Sequence, residues 1–407
     1  MNLQQNTNFK NYRMRAFILT ILIFTISYSI KAQWNNLNSD VASKLNSVYF
    51  VNSKIGYCAG YDGTIIKTID SGETWISLES GTNTDLWSIY FTSEKTGYVA
   101  GAYCILKTLD GGETWNKALN TPPKVFYSIC FPDSSIGFAV GDNQTIIKTT
   151  DQGETWNTVY KDTTSKYSTL FSVFFTNTDI GYATGANHNL LKTIDGGFSW
   201  ITISSGTTAT IYSLFFPNNE IGYGVGDLGV IVKTIDSGQT WDSLTSINVI
   251  GLNSVYFTNT EIGYAAGGWP RTIIKTEDGG NTWHNFSFET DDYLMSIIFT
   301  DENTGYAVGD KGVILKTING GGNAWTNLKS ISKGKEIGLF PNPTKDILFF
   351  EDLYSNKTIS IYKINGTIIF QDRIHDNQVN VSKLSQGIYF IKIMDKEQTL
   401  ITKFIKE

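Results

Sequence analysis

One eight-residue pattern, Thr-x-Asp-x-Gly-x-Thr-Trp, returns along the chain at an almost constant distance. It stands at Thr68–Trp75, Thr108–Trp115, Thr149–Trp156, Thr193–Trp200 (with Ser199), Thr234–Trp241 and Thr276–Trp283. A seventh copy, Thr317–Trp325, has Asn319 in place of Asp and one extra residue. From Asp70 to Asn319 six intervals span 249 residues, a mean period of 41.5. A module of this size cannot bury both of its faces alone, so its copies must stack on one another.

The content of the module says how they stack. An apolar run opens it, such as Leu45–Phe50 or Leu170–Phe175, followed by Ile-Gly-Tyr-x-x-Gly at Ile55–Gly60, Ile180–Gly185 and Ile262–Gly267. Then come Thr64–Thr68 and its equivalents, the eight-residue turn, and a short strand led by the turn's Trp. Four short strands per period of about 40–50 residues describe propeller blades. The expected fold is all-β: a seven-bladed β-propeller over residues 33–329, a linker at 330–336, and a small β-sandwich over 337–407. Trp34–Leu37 has the same Trp-x-x-Leu form as the strand at Trp75 and precedes Leu45 as Trp75 precedes Leu86. That makes eight outer strands for seven blades and predicts that Trp34–Leu37 pairs with the last blade or packs beside its irregular turn.

The chain starts with Lys10, Arg13 and Arg15 before an uncharged apolar run, Ala16–Ile30, and Ala32 offers a small residue for cleavage. A 15-residue run is short of the roughly 20 needed to span a bilayer, so residues 1–32 read as a secretory signal peptide cleaved near Ala32. No membrane span is expected in the mature protein. Removing Lys10, Arg13, Arg15 and Lys31 with the signal peptide takes the net charge from −6 to −10. So acidic a protein has no general attraction for a phosphate backbone, which argues against nucleic acid as a partner. Cys58, Cys104 and Cys130 are an odd set for an exported chain; they read as buried thiols, with at most one pair able to bridge.

These motifs resemble the Asp-box (BNR) repeat family, and the combination of Ile-Gly-Tyr-x-x-Gly with Lys-Thr-x-Asp-x-Gly-x-Thr-Trp looks most like the photosystem II stability/assembly-factor propellers. The C-terminal segment carries Leu339-Phe-Pro-Asn-Pro-Thr344, Thr358–Tyr362 with a turn at Asn365-Gly366, Gly387–Ile393 and Lys403–Lys406. It is similar to the type A sorting domain of the type IX secretion system. That resemblance implies the type IX machinery as a partner through residues 337–407, and a secreted or outer-membrane-surface location.

The Asp-box also occurs in sialidases, which need three arginines to hold a carboxylate. Beyond the signal peptide only Arg271 and Arg373 remain, which excludes that activity. The box residues Asp70, Asp110, Asp151, Asp195, Asp236, Asp278 and Asn319 read as turn locks. Trp75, Trp115, Trp156, Trp200, Trp241, Trp283 and Trp325 read as blade packing. The lysine before each box threonine (Lys67, Lys107, Lys148, Lys192, Lys233, Lys275, Lys316) is expected to lay its stem on the blade with the amine in water. His188, His284 and His375 lack metal-ligand spacing; no metal and no cofactor is expected. Glu289, Asp291 and Asp292 are the acids a glycan-cleaving enzyme of the Asp-box type would draw on, or else an ordinary surface loop.

Where the copies differ, a ligand can be recognised. The second position of the first strand holds Asn46, Trp87, Tyr127, Phe171, Tyr212, Asn253 and Met295, and the loops on the same ring face vary from Tyr61-Asp62 to Trp269-Pro270-Arg271. The candidate ligand-binding residues are Trp87, Tyr127, Phe171, Tyr212, Trp269 and Arg271; packing between blades is the other reading of the aromatics. The expected function is a non-enzymatic binding module for a protein or glycan, with a glycan-cleaving hydrolase as the alternative.

Overall fold

The computed structural model describes residues 34–162, 168–187, 189–244, 249–269, 271–286, 292–322, 339–350, 357–363, 368–374, 377–394 and 399–407. The expected signal peptide, the linker at 330–336 and Trp325 lie outside these residues.

Alternation of apolar runs with Gly- and Asp-bearing turns produces short antiparallel strands throughout. The first blade is typical. Leu45–Phe50 pairs with Gly56–Gly60, which pairs with Ile65–Thr68, which pairs with Ile76–Leu78. Seven such four-stranded sheets occur among the described residues up to Thr317. Each inner strand packs beside the next, and the first, Leu45–Phe50, packs beside the last, Leu294–Phe299, so the ring is closed.

The seventh sheet takes its outer strand from the chain's other end. Asn35–Leu37 runs antiparallel to Ile314–Thr317, with Asn35 opposite Lys316 and Leu37 opposite Ile314. Trp34 makes the edge-to-face contact with Phe299 (5.9 Å) that Trp75 makes with Phe50 and Trp115 with Phe91 in their own blades. The indole is buried against the box glycine Gly321. Trp34 therefore packs in the seventh blade as the box tryptophans pack in the others.

The ring is held by contacts that recur from blade to blade. The tyrosine of Ile-Gly-Tyr stacks on the phenylalanine at the end of the next blade's inner strand, as Tyr57 on Phe91 (4.0 Å) and Tyr306 on Phe50 (4.1 Å). Its hydroxyl donates to the next Asp-box: Tyr57 to the Gly111 carbonyl at 2.8 Å, and Tyr306 to the Ser71 carbonyl at 2.6 Å across the closure. The box lysines do not leave their amines in water as expected. Lys67 joins Tyr57 on the Gly111 carbonyl (2.8 Å), Lys192 joins Tyr182 on the Ser237 carbonyl (2.7 Å), and Lys316 pairs with Glu73 (2.5 Å). The tyrosine ring beneath each ammonium adds a cation–π contact, 5.5–6.0 Å to the ring in blades one to seven other than the third, where Phe138 stands in for tyrosine. The same box that closes a local turn thus latches two blades together.

A second ring of bonds lies nearer the axis. Ser47 Oγ accepts from the Ile89 amide (3.2 Å), Ser172 from Leu214 (3.1 Å), and Ser296 from Val48 (3.4 Å), with equivalents at Ser88, Ser128, Ser213 and Ser254. Each serine gives a partner to an inner-strand amide that has no neighbouring strand to bond.

Beyond Leu339 two further sheets form. One is three-stranded (Leu339–Phe340, Ile347–Phe350, Gln378–Asn380) and the other four-stranded, with Lys357–Lys363 beside Gly387–Met394 at its centre. Leu348, Phe350 and Val379 of the first share one core with Ile359, Ile361, Ile391 and Phe404 of the second. The three cysteines are free thiols; Cys58 and Cys104 are buried, and burial pushes both thiols up from their ordinary range.

Candidate functional site

The two faces of the ring differ in what the repeats present on them. On the box face, Thr68 Oγ1 donates to Asp70 Oδ1 (2.8 Å) and accepts from the Gly72 amide (2.8 Å). Asp70 also accepts from the Thr74 amide (2.9 Å) and hydroxyl (2.6 Å). The same set recurs in the next five boxes, and the threonine half of it at Asn319. The bond from Thr74 holds the Asp70 carboxyl down at about 2, and the matching bonds do so for Asp110, Asp195 and Asp236. A carboxylate that stays ionised to so low a pH, with both oxygens bonded within its own turn, is no proton donor near neutrality.

The opposite face is built on irregularity. In each of the seven inner strands the ladder slips by one residue at the second position, between Leu45 and Ser47, Leu86 and Ser88, and so on round to Leu294 and Ser296. Such a bulge opposes two residues to one and re-aims the extra side chain. The bulged residues are the variable set singled out from sequence. Trp87, Tyr127, Phe171 and Tyr212, all half-buried, form one continuous row: ring centroids are 5.0 Å apart for the first pair and 5.3 Å for the next two. Tyr61, from the loop of the first blade, extends the row with a 5.5 Å edge contact to Trp87. The rings interact edge-to-face or tilted, the arrangement favoured by their quadrupoles.

Polar groups flank the row. Tyr212 donates to Asp227 Oδ1 at 2.8 Å. Burial, followed by the Asp142 charge, pushes the Tyr127 phenol up to about 12, and burial with the Asp227 bond raises Tyr212 as well. The other bulge positions hold Asn46 and Asn253, whose Nδ2 atoms donate to the Leu86 and Leu294 carbonyls at 2.8 Å, and Met295. Asn46 Oδ1 and Trp87 Nε1, on neighbouring blades, are buried and have no hydrogen-bond partner among the described residues. Glycine ends the second strand because a Cβ at Gly60, Gly141 or Gly226 would lie about 2 Å from the carbonyl oxygen preceding the inner strand. That close approach sets the loops tightly over the bulges. At their tips Asp62, Tyr103, Asn187, Leu228 and Lys311 all adopt left-handed backbone (φ 53–64°) and all are exposed.

The remaining predicted residues are Arg271 and Trp269. Arg271 lies over the Tyr293 ring, 5.7 Å from its centroid. Trp269 ends a strand, Gly263–Trp269, paired opposite Ile250, and is not in a loop as expected; its side chain lies outside the described residues. Asp292 is ion-paired with Lys311 at 2.9 Å, while Glu289, Asp291, His188 and His375 fall outside the described residues.

A family model described as photosynthesis system II assembly factor YCF48 matches residues 26–125, 117–208 and 199–291, and one described as a secretion system C-terminal sorting domain matches residues 338–407. The tail thus marks the chain for export. No curated protein matches the chain. Similar solved structures include YCF48 bound to D1 peptide (TM-score 0.60, 18% identity, 70% of this chain and 97% of that one) and YCF48 from Cyanidioschyzon merolae (0.60, 21%, 70% and 99%). The GH74 xyloglucanase from Xanthomonas campestris is also similar (0.57, 13% identity, 79% of this chain and 60% of that one). At these identities the likeness is one of fold.

Proposed function

Because this chain belongs to the photosynthesis system II assembly factor YCF48 family, we propose that it is a non-enzymatic binding module whose channel mouth takes an extended segment of another protein. One observation carries the reading: four half-buried aromatic rings on consecutive blades, at the positions where the repeat varies. The buried Asn46 oxygen, without a partner among the described residues, asks for a donor, which a peptide N–H supplies. The peptide in the related structure supports the same class of ligand. The sorting domain carries the module to the cell surface or beyond, after cleavage near Ala32 leaves Trp34 close to the new N-terminus.

The test is retention. Immobilised full-length protein is offered a peptide array and an oligosaccharide array, beside a Trp87→Ala/Tyr127→Ala variant that still melts cooperatively. Peptides held by the parent and lost by the variant support the reading; peptides held equally by both overturn it. The second reading, a glycan-cleaving hydrolase, draws on the similarity to the GH74 fold. Product release from xyloglucan would put it first.

A further inference from the structure

Resting on the peptide-binding reading, we infer that the channel mouth selects a cationic side chain, arginine before lysine, presented along the ring axis by the bound segment. The argument starts from ring spacing. Centroids 5.0–5.3 Å apart on consecutive sevenths of a circle lie about 6 Å from its axis, which is the reach of a cation–π contact. A cation on the axis therefore lies within that reach of Trp87, Tyr127, Phe171 and Tyr212 at once, and gains from each ring that turns its face inward.

The charges around the row point the same way. Asp227 receives the Tyr212 hydroxyl and forms no ion pair among the described residues. Asp142 lies beside Tyr127. Three basic groups of this face are engaged elsewhere, and Lys124 lies close to Asp142. Lys44 pairs with Asp310 (3.4 Å), Lys311 pairs with Asp292 (2.9 Å), Lys124 donates to Thr145 Oγ1 (2.9 Å), and Arg271 covers Tyr293. The mouth thus combines aromatic surface with the Asp227 carboxylate, which has no ion pair among the described residues. Asn46 Oδ1, fixed by its Nδ2 bond to Leu86, adds an acceptor for an N–H donor. A guanidinium has both the delocalised charge and the donors; an ammonium has fewer donors and is more strongly hydrated.

Blocked pentapeptides Gly-Ala-X-Ala-Gly, with X as arginine, lysine, citrulline or glutamate, are titrated into the full chain by calorimetry and tryptophan fluorescence. Citrulline keeps the shape of arginine and removes its charge. The expected order is arginine, lysine, then citrulline, with arginine at least about tenfold tighter than citrulline and glutamate unbound. Phe171→Leu weakens the arginine peptide about 3- to 10-fold and leaves citrulline nearly unchanged. Asp227→Asn, which keeps an acceptor for Tyr212, weakens arginine while a cooperative melt reports an intact ring. Citrulline binding as tightly as arginine overturns the inference and leaves the peptide-binding reading standing. If no peptide binds, both fall.

Discussion

The box face and the channel mouth of this propeller are made from the same repeats, yet they obey opposite rules. On the box face near-identical turns commit their carboxylates to themselves and take the tyrosine and lysine of the blade before: Asp70 on Thr68 and Thr74, Tyr57 and Lys67 on the Gly111 carbonyl. At the mouth a bulge recurs in every blade, but the residue it presents changes from Asn46 to Trp87 to Met295. Repetition marks what the ring needs in order to close. Variation at a repeated geometric position marks what closure leaves free.

That contrast can be broken most directly at the seam. Trp34→Ala removes a buried indole from the only blade whose parts come from both ends of the propeller, and should cost about 3–5 kcal/mol, measured as a fall in the urea midpoint. A smaller loss than that from Trp87→Ala would mean that the mouth, and not the closure, bears the load. Next in size is Ser172→Ala, which strips the Leu214 amide of its partner and should cost about 1–3 kcal/mol by the same assay. A neutral result would show that the serine ring is incidental.

The acid side of the pH profile sharpens the comparison. Box carboxyls such as Asp236, held at about 2 by the Thr240 bonds, lie below their unfolded value near 3.8. Their contribution is complete above pH 4 and is lost as the pH falls through about 2. Melting temperature should therefore drop between pH 4 and 2, and more shallowly in Asp236→Asn. An identical slope in the variant would separate the box from acid stability. The smallest effect on stability belongs to Phe171→Leu at the mouth, below about 1.5 kcal/mol for a swap between apolar residues of similar bulk. Thermal melts check that limit, and binding, not folding, is where this variant should show its loss.

Much of the fold was legible because its signals are local. Each Asp-box lock closes within eight residues, so the spacing of Thr, Asp, Gly and Trp already contains its hydrogen bonds. Trp34–Leu37 announced itself by matching an outer strand before the first blade. The variable second positions could be found by aligning the copies, though nothing in the alignment said that each sits on a bulge. The lysines were misread because stem and amine were considered on one blade, whereas Lys67 finds its acceptor 44 residues away, in the next. The serine that follows each variable position was an available signal, the same residue in seven of seven copies, and its partners are likewise one module distant.

The sequence by itself determined the number of modules, their strands and turns, the sorting tail and the list of residues that vary. Those follow from hydrogen bonds and apolar periodicity within one stretch of chain. The tertiary structure alone decided which modules touch, that Trp34 packs on Phe299 as the box tryptophans do in other blades, and that four aromatics meet at 5.0–5.3 Å in one row. The reason is geometric: these contacts join groups 40 or more residues apart, and only the angle between packed blades brings them within reach.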